Sequence, residues 1–254
     1  PHLRRMTVLT SKDNPKVRHW AKLASDARYR KSEGRTLLEG PHLVAALRQA
    51  RLKAASIIVT EKALEKKEIS DLAGMTPVIV SEGVFSSIVD AENPPGIAAE
   101  IAIPEPKRSD GDVVFLEGVQ DPSNVGAIIR TAPGYGIGEV VLDQACADAW
   151  SPRALRAGMG GHFSLSVRHA ARLEIAGFDG TLLCTVVRGG TPLAESKLQG
   201  RLGWIFGGEG RGVSSDTERQ VKLKVTIPIA AGTESLNVAA AAAICLYEAG
   251  RRPR

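Results

Sequence analysis

Asn124 and Arg130 are the first residues whose types and spacing suggest chemistry, and they lie in the segment DPSNVGAIIRTA at residues 121–132. Asn124 is expected to cap a helix that begins at Val125, because asparagine readily accepts a hydrogen bond from the first helical turn. Arg130 then follows about one and a half turns later, beside an apolar stripe. An arginine in that position either binds an anion or serves only as an ion-pair partner.

A second segment, FGGEGRGVS at residues 206–214, carries four glycines in six positions. Glycine lets a backbone turn tightly and approach a ligand closely. The segment matches neither the P-loop pattern, since no Lys follows, nor the dinucleotide fingerprint after a first strand. Glu209 at its centre would repel a phosphate. A sulfonium-bearing or neutral ligand therefore fits better, and Ser214 is a good cap for a following helix.

The third segment, IPIAAGTESLNV at residues 227–238, follows another strand, which ends at Pro228. Ser235 or Asn237 is expected to open the next helix. Capping by Ser235 alone is the simpler interpretation, but it would not require Asn237 and a glycine-bearing loop as well.

An alternation of short apolar strands with helices positions these three segments. Such strands indicate a mostly parallel sheet covered on both faces, and ligands bind beyond the carboxyl ends of its strands. The predicted strands are 113–116, 140–142, 182–187, 204–206 and 224–227, and the last and strongest helix is 236–247.

The segment PEPKRSDG at residues 104–111 is polar and proline-rich, and it predicts an exposed linker at 105–111 between residues 1–104 and 112–254. The N-terminal part predicts a small α/β domain. Its helices are expected to open at Asn14-Pro15 and Gly40-Pro41, and its strands at 56–59, 78–80 and 97–103.

Positive charge is concentrated at the N-terminus. The first 53 residues carry 13 Lys and Arg against 4 Asp and Glu, a net charge of +9, whereas the remaining 201 residues carry −4. This asymmetry favours a polyanionic partner such as nucleic acid, although a solvated basic helix face gives the same pattern.

Several classes of protein are disfavoured by composition. No apolar run approaches the roughly 18 residues of a membrane span, and no secretion signal is recognisable. Three well-separated cysteines indicate buried thiols in a reducing cytosol, hence a cytoplasmic protein. His2, His19, His42, His162 and His169 show no metal-ligand spacing, so no metal site is expected, and they are interpreted as surface or RNA-facing residues.

Taken together, the three loop segments resemble the signature motifs of the SpoU (TrmH-like) family of the SPOUT superfamily, in the family's order. The segment from Ser11 to Gly40 is similar, less specifically, to the start of that family's accessory RNA-binding domain. The matching positions are Asn124, Gly126 and Arg130-Thr131-Ala132; Gly208, Glu209, Gly210, Gly212 and Ser214; and Ile227-Pro228, Ser235, Leu236, Asn237, Val238 and Leu246-Tyr247-Glu248.

The resemblance implies an α/β fold: a SPOUT-type parallel sheet with a C-terminal trefoil knot, plus a small N-terminal α/β domain similar to ribosomal protein L-thirty-e. It implies an S-adenosylmethionine-dependent RNA (ribose-2′-O) methyltransferase and a homodimer. Residues 1–104 would bind RNA and 112–254 would form the methyltransferase domain. Ribosomal RNA is favoured over transfer RNA, while base methylation and a non-catalytic RNA-binding or assembly factor stay open as alternatives.

The resemblance also assigns site residues. Arg130 either activates the ribose hydroxyl or grips the neighbouring phosphate. The implied catalytic set is Arg130, Asn124, Glu209, Ser235 and Asn237. The implied cofactor-binding set is Thr185, Val187, Phe206, Gly207, Gly208, Ile227, Ile229, Leu236 and Asn237. The implied RNA-binding set is Lys12, Lys16, Arg18, Arg28, Arg30, Lys31 and Arg35.

Two departures from the family pattern carry expectations. Pro133-Gly134 follows the arginine where relatives usually continue the helix, so that helix is expected to be shortened or kinked. Gly158 stands where the family tends to have a serine before Met-Gly, and any polar contact of that serine would be lost.

Overall fold

The computed structural model describes residues 7–173 and 175–251, so the interpretation of His2 lies outside the described residues. The chain forms two compact units. The first contains the residues up to Glu105 together with Trp150–Gly160, and the second contains Pro106–Ala149 and the residues from Gly161 onward. Nothing in the sequence had indicated that Trp150–Gly160 belongs with the first unit. Within the described residues, no helix is long and apolar enough to cross a membrane.

The first unit is built on a four-stranded sheet in the order β1-β4-β2-β3, in which only β2 and β3 run parallel. Its core includes Trp20, Leu37 and Phe85. The strands are β1 (Arg35–Glu39), β2 (Ala54–Thr60), β3 (Val78–Val80) and β4 (Ile97–Ala102). The helices are α1 (Pro15–Ser25), α2 (Ala27–Glu33), α3 (Pro41–Gln49), α4 (Glu61–Leu64), α5 (Lys67–Ala73), α6 (Glu82–Ile88) and α8 (Pro152–Gly158).

Local capping explains where the first helices begin and end. The Asn14 side chain accepts from the Lys16 amide at 2.9 Å, which confirms the predicted start of α1. Asp26 ends α1 and caps α2, and Gly34 ends α2 in the left-handed conformation. Helix α2 was missed in the sequence, because Asp26 serves both helices and leaves no visible break, and strand β1 was not predicted either.

Helix α8 is fixed to the first unit by polar contacts. Thr36 Oγ1 donates to the Trp150 carbonyl at 2.7 Å. The Arg156 guanidinium bridges Glu39 at 2.6 Å and Asp90 at 2.7 Å. Burial raises the pKa of Glu39, and the Asp90 amide and Arg156 partly offset that rise.

The second unit is built on a seven-stranded parallel sheet in the order β7-β6-β5-β10-β8-β11-β9, which confirms the predicted fold class. The strands are β5 (Asp112–Glu117), β6 (Ile137–Leu142), β7 (Ser166–His169), β8 (Thr181–Thr185), β9 (Thr191–Pro192), β10 (Leu202–Gly207) and β11 (Leu223–Thr226). The helices are α7 (Pro122–Thr131), α9 (Ser215–Glu218) and α10 (Val238–Gly250), with 3-10 turns at Ala132–Tyr135, Gly161–Phe163 and Leu193–Glu195.

All five predicted strands of this sheet are present, and the short edge strands β7 and β9 are additional. The strand predicted at 182–187 ends earlier, at Thr185, because the chain turns there into a loop. The trefoil knot stays a prediction.

Candidate functional site

A cavity of about 450 Å³ lies where the loops after β8, β10 and β11 meet, beyond the carboxyl ends of those strands. This volume falls in the range of roughly 300–1,000 Å³ that is usual for small-molecule sites. The wall is formed by Thr185, Val186, Val187, Gly207, Gly208, Glu209, Gly210, Arg211, Gly212, Val213, Glu218, Ile227, Ile229, Glu234, Ser235, Leu236, Val238 and Ala241.

Two glycines are required at the base of this cavity by close backbone packing. A side chain at Gly207 would overlap the Gly212 carbonyl, and one at Gly208 would overlap the carbonyl oxygen of Gly118. Since either position would have to shift to admit even a methyl group, the glycine-rich segment folds back on itself and rests on the loop after β5.

A chain of side-chain hydrogen bonds joins the three loop segments. Asn237 Nδ2 donates to Asn124 Oδ1 at 3.0 Å, and Asn124 Nδ2 donates to Glu209 Oε1. Asn124 thus uses both ends of its amide, one toward each of the other two loops. This arrangement brings together residues that are more than 80 positions apart in sequence.

Asn124 does not cap its helix, and that prediction is wrong. The cap is Asp121, whose side chain accepts from the Ser123 amide at 2.8 Å, and α7 begins at Pro122. Proline suits the first helical position and moves the start upstream. Asn124 therefore lies inside the helix, where its amide is available for Glu209 and Asn237. Of the two candidates for the last helix, Asn237 is the cap.

Arg130 lies exposed in the last turn of α7. The helix ends at Thr131 and passes into the 3-10 turn Ala132–Tyr135, so the expected shortening at Pro133 is confirmed. Gly161 packs so closely that a side chain there would press on the backbone of Arg130. Among the described residues, Arg130 has no hydrogen-bond or ion-pair partner, so its five donors face solvent.

The structure separates the expected site residues into two groups. Phe206 is fully buried and stacks on Trp204, and Asn237, Asn124 and Arg130 also stand outside the cavity wall. The expected residues that do line the cavity are Thr185, Val187, Gly207, Gly208, Glu209, Ile227, Ile229, Ser235 and Leu236.

Three charged residues in the wall were not anticipated, namely Arg211, Glu218 and Glu234. Glu218 also pairs with Lys224 at 2.7 Å. With Glu209, the wall has three carboxylates against the guanidinium of Arg211, and even with Glu218 offset by Lys224 a net negative charge remains, which favours a ligand carrying positive charge. Only their closeness to the glycine-rich and third segments could have indicated them in the sequence.

None of the three cysteines is a candidate nucleophile. Burial raises the pKa of Cys245 to about 12 and that of Cys184 to about 11. Burial, reinforced by Asp143, raises the pKa of Cys146 to about 12. All three are protonated thiols near neutral pH. Within residues 7–173 and 175–251, no cluster of three or more metal-ligand side chains occurs.

The basic residues expected to bind RNA lie in the first unit, and most are open to solvent. Lys12, Lys16, Arg18, Arg28 and Lys31 are exposed, while Arg35 pairs with Glu100 at 2.5 Å. The expectation that Arg30 binds RNA is wrong. Arg30 is only 4% exposed and donates to the Leu23 carbonyl at 2.7 Å, where it closes the end of α1, so it cannot reach RNA.

The interpretation of His162 as a surface or RNA-facing residue is also wrong. His162 is 2% exposed, and its Nε2 is 2.7 Å from the Ala149 carbonyl. Burial lowers its pKa to about 4, so it is neutral at physiological pH.

Comparisons with known proteins agree with this architecture. Residues 112–247 match the SpoU rRNA Methylase family, and residues 14–99 match the MRM3-like substrate binding domain. The chain is 34% identical to the 23S rRNA (guanosine(2553)-2′-O)-methyltransferase RlmP of Bacillus subtilis, over 95% of this chain and 98% of that protein.

Solved structures show the same fold. One described as an RNA 2′-O ribose methyltransferase superposes with a TM-score of 0.82 at 28% identity, covering 96% of this chain and 98% of the other. The SpoU methyltransferase AviRb from Streptomyces viridochromogenes, solved with AdoMet, superposes with a TM-score of 0.83 at 22% identity, covering 94% and 97%. With its family match spanning more than half of its length, the chain belongs to the SpoU rRNA methylase family.

Proposed function

We propose that this protein transfers a methyl group from S-adenosylmethionine to a ribose 2′-hydroxyl of ribosomal RNA. The observation that carries the proposal is that the segments 206–214 and 227–238 line one cavity and are tied to the segment 121–132 by side-chain hydrogen bonds. All three segments lie within the residues that match the SpoU family, and the hydrogen bonds that join them run from Asn237 to Asn124 and from Asn124 to Glu209. The relative RlmP is named as a 23S rRNA 2′-O-methyltransferase.

The cavity fits S-adenosylmethionine in charge and lining. Backbone groups of the glycine-rich segment and apolar side chains such as Ile227, Ile229 and Leu236 supply a surface for an adenosine. The carboxylates of Glu209, Glu218 and Glu234 suit a sulfonium and an ammonium group. When bound, the cofactor supplies a methyl group made electrophilic by the positive charge on its sulfur.

Arg130 is the residue that meets the RNA. A guanidinium stays protonated in proteins, so Arg130 acts by gripping the phosphate beside the target ribose rather than by removing a proton. This grip fixes the hydroxyl in line for attack and lowers the barrier by restricting motion before reaction. As the oxygen takes the methyl group, the hydroxyl loses its proton late, to water. Asn124, Glu209, Ser235 and Asn237 hold the loops around that position.

RNA docks on the basic N-terminal segment of the first unit in this proposal. Lys12, Lys16, Arg18, Arg28 and Lys31 are exposed and would neutralise phosphates with release of counterions. Arg35 contributes in part, since its side chain is 39% exposed while it pairs with Glu100.

The proposal includes a homodimer that works in the cytoplasm. Helix α10 leaves an apolar stripe open, with Ile244 at 41% and Tyr247 at 52% exposure, one turn apart and continuing from the exposed Ala240. Exposed apolar stripes of this kind mark interaction surfaces, and a second copy would cover it. Sedimentation of the protein with Ile244→Lys would test this, since the variant should sediment as a monomer.

The test of the function is methyl transfer itself. The purified protein is incubated with tritiated S-adenosylmethionine and ribosomal RNA from a strain that lacks the gene. Label should enter the RNA, and the labelled linkage should resist alkaline cleavage, because only a ribose methyl blocks attack by the 2′-oxygen. Label in an alkali-sensitive linkage would indicate base methylation, and cofactor-independent RNA binding without label would indicate an assembly factor. In a parallel reaction that also contains transfer RNA from the same strain, label in transfer RNA alone would show that the substrate is transfer RNA rather than ribosomal RNA.

A further inference from the structure

Glu117, the last residue of β5, holds one end of the glycine-rich segment through its main chain. It pairs in register with Gly207 of the neighbouring strand β10. Its carbonyl oxygen accepts a hydrogen bond from the Gly208 amide at 2.8 Å. The chain therefore leaves the sheet toward the cavity from a point fixed by Glu117.

The side chain of the same residue holds the other end of that segment. Glu117 Oε2 accepts from the Ser214 amide at 3.0 Å, and Oε1 accepts from the Ser214 hydroxyl at 2.7 Å. The hydroxyl of Thr217, which is buried, also donates to Oε1 at 3.0 Å. Three donors thus converge on one carboxylate, and hydrogen bonds to a charged acceptor are about twice as strong as neutral ones.

The residues between these two anchors form the cavity wall. All positions from Gly207 to Val213 line the cavity, whereas Glu117 itself does not. In the middle of this stretch, Glu209 is held by Asn124. With a backbone so rich in glycine, the stretch has little stiffness of its own, and its shape depends on how its ends are fixed.

We propose that Glu117 is a positioning residue for cofactor binding, which closes the glycine-rich segment by holding Gly208 with its carbonyl and Ser214 and Thr217 with its carboxylate. This inference rests on the proposed function, because the ligand of the cavity is S-adenosylmethionine. Glu117 touches neither cofactor nor RNA, so its effect is on the affinity for the cofactor rather than on the chemical step.

Glu117→Ala removes both carboxylate oxygens, and with them three hydrogen bonds, and keeps the main-chain contact with Gly208. We expect the Kd and KM for S-adenosylmethionine to rise about tenfold, the effect of losing hydrogen bonds to a charged group, while kcat at saturating cofactor stays within about twofold. Glu117→Gln keeps the size but has one oxygen in place of two. It should fall between wild type and the alanine variant, and it decides the question if the alanine variant does not fold.

Glu139→Gln is the matched control. Glu139 is a buried carboxylate of the same sheet, paired with Arg168 at 2.8 Å and remote from the cavity wall. This control should lower thermal stability and leave the cofactor Kd unchanged, whereas Glu117→Gln should raise the Kd. Calorimetry with S-adenosylmethionine measures both.

The experiment distinguishes failure of the role proposed for Glu117 from failure of the proposed function. If wild-type protein binds S-adenosylmethionine and both Glu117 variants bind it equally well, the positioning role is refuted and the contacts serve only to cap α9. If wild-type protein does not bind S-adenosylmethionine at all, the proposed function fails instead.

Discussion

Two carboxylates, one in each unit, are used in opposite ways. Glu100 of the first unit is 7% exposed and accepts hydrogen bonds from Trp20 at 2.9 Å, Arg35 at 2.5 Å and His19 at 3.3 Å. Glu209 of the second unit is exposed and is held by Asn124. Arg130, also in the second unit, is exposed and has no partner within the described residues. The hydrogen bonds of Glu100 are thus made within the protein, whereas Glu209 is exposed with one partner and Arg130 is exposed with none among the described residues.

The difference follows from the cost of burying polar groups. A buried donor or acceptor without a partner costs about 1–3 kcal/mol, so Glu100 has to be satisfied by the protein itself. An exposed group stays solvated until a ligand replaces the water, so leaving Arg130 and Glu209 open costs little stability. Substitutions of the exposed Arg130 and Glu209 should therefore affect activity, and substitution of the buried Glu100 should affect stability.

The largest effect is expected for Arg130→Ala. Removing the guanidinium should lower kcat by at least about a hundredfold, because loss of one preorganised charge contact has effects of that order. Binding of S-adenosylmethionine should be unchanged in calorimetry, since Arg130 stands outside the cavity wall. Arg130→Lys should recover little, because an ammonium lacks the planar fork.

A matched control for this variant is Arg219→Ala, which removes an exposed arginine of the same unit that pairs only locally with Asp216. The kcat of Arg219→Ala should equal that of the wild-type protein. Near-normal turnover of Arg130→Ala would remove Arg130 from the mechanism.

The stability that Glu100 contributes should depend on pH. Burial alone would raise the pKa of Glu100, but hydrogen bonds from Trp20, Arg35 and His19 outweigh it and hold the pKa below the ordinary value. A pKa lowered by folding contributes stability above the unfolded-state pKa, and that stability is lost as the pH falls through the folded-state pKa. Glu100→Gln should cost about 2 kcal/mol at neutral pH, roughly thirtyfold in the unfolding equilibrium.

Urea denaturation between neutral pH and pH 3 measures this effect. The wild-type protein should lose stability steeply at the acid end, and the Gln variant should show a flatter profile. Glu65→Gln, at an exposed position of the same unit, is the control and should follow wild type. Coincident profiles of unfolding free energy against pH for wild type and Glu100→Gln would mean that the hydrogen bonds of Glu100 add no net stability.

The same contrast explains how much could be predicted from the sequence. The parallel sheet was predictable because its strands are continuous apolar runs, and the cavity loops because their motifs follow those strands. The cap at Asp121 was missed because Asn124 is an equally good capping residue three positions later. The burial of Arg30 was missed because a basic run carries no sign of which side chain turns inward.

Long-range packing accounts for the other misses. That Trp150–Gly160 belongs with the first unit depends on Arg156 meeting Glu39, which is 117 positions away. Likewise, Glu218 lines the cavity only because α9 follows the glycine-rich segment back over it. Neither pairing leaves a local pattern, since each is decided by tertiary structure.

A smaller effect is expected for Asn124→Ala, which breaks both hydrogen bonds between the loops. We expect kcat/KM to fall about tenfold, the effect of losing about two ordinary hydrogen bonds. Asn237→Ala should also cost about 1 kcal/mol of stability, because it removes the cap of α10 as well. A double-mutant cycle in turnover should show that the two changes are not additive. Strict additivity would mean that the loops act independently.

The smallest effect is expected for Lys16→Ala, which removes one exposed charge from the basic N-terminal segment of the first unit. Loss of one phosphate contact should raise the KM for RNA about threefold and reduce the slope of log affinity against log salt by about one. The cofactor Kd should not change, because Lys16 belongs to the other unit. Lys62→Ala, an exposed lysine of the same unit outside the basic N-terminal segment, is the control and should leave both quantities unaltered. An equal loss of RNA affinity in the two variants would mean that binding depends only on the total charge of the protein. The basic N-terminal segment would then have no specific role in RNA binding.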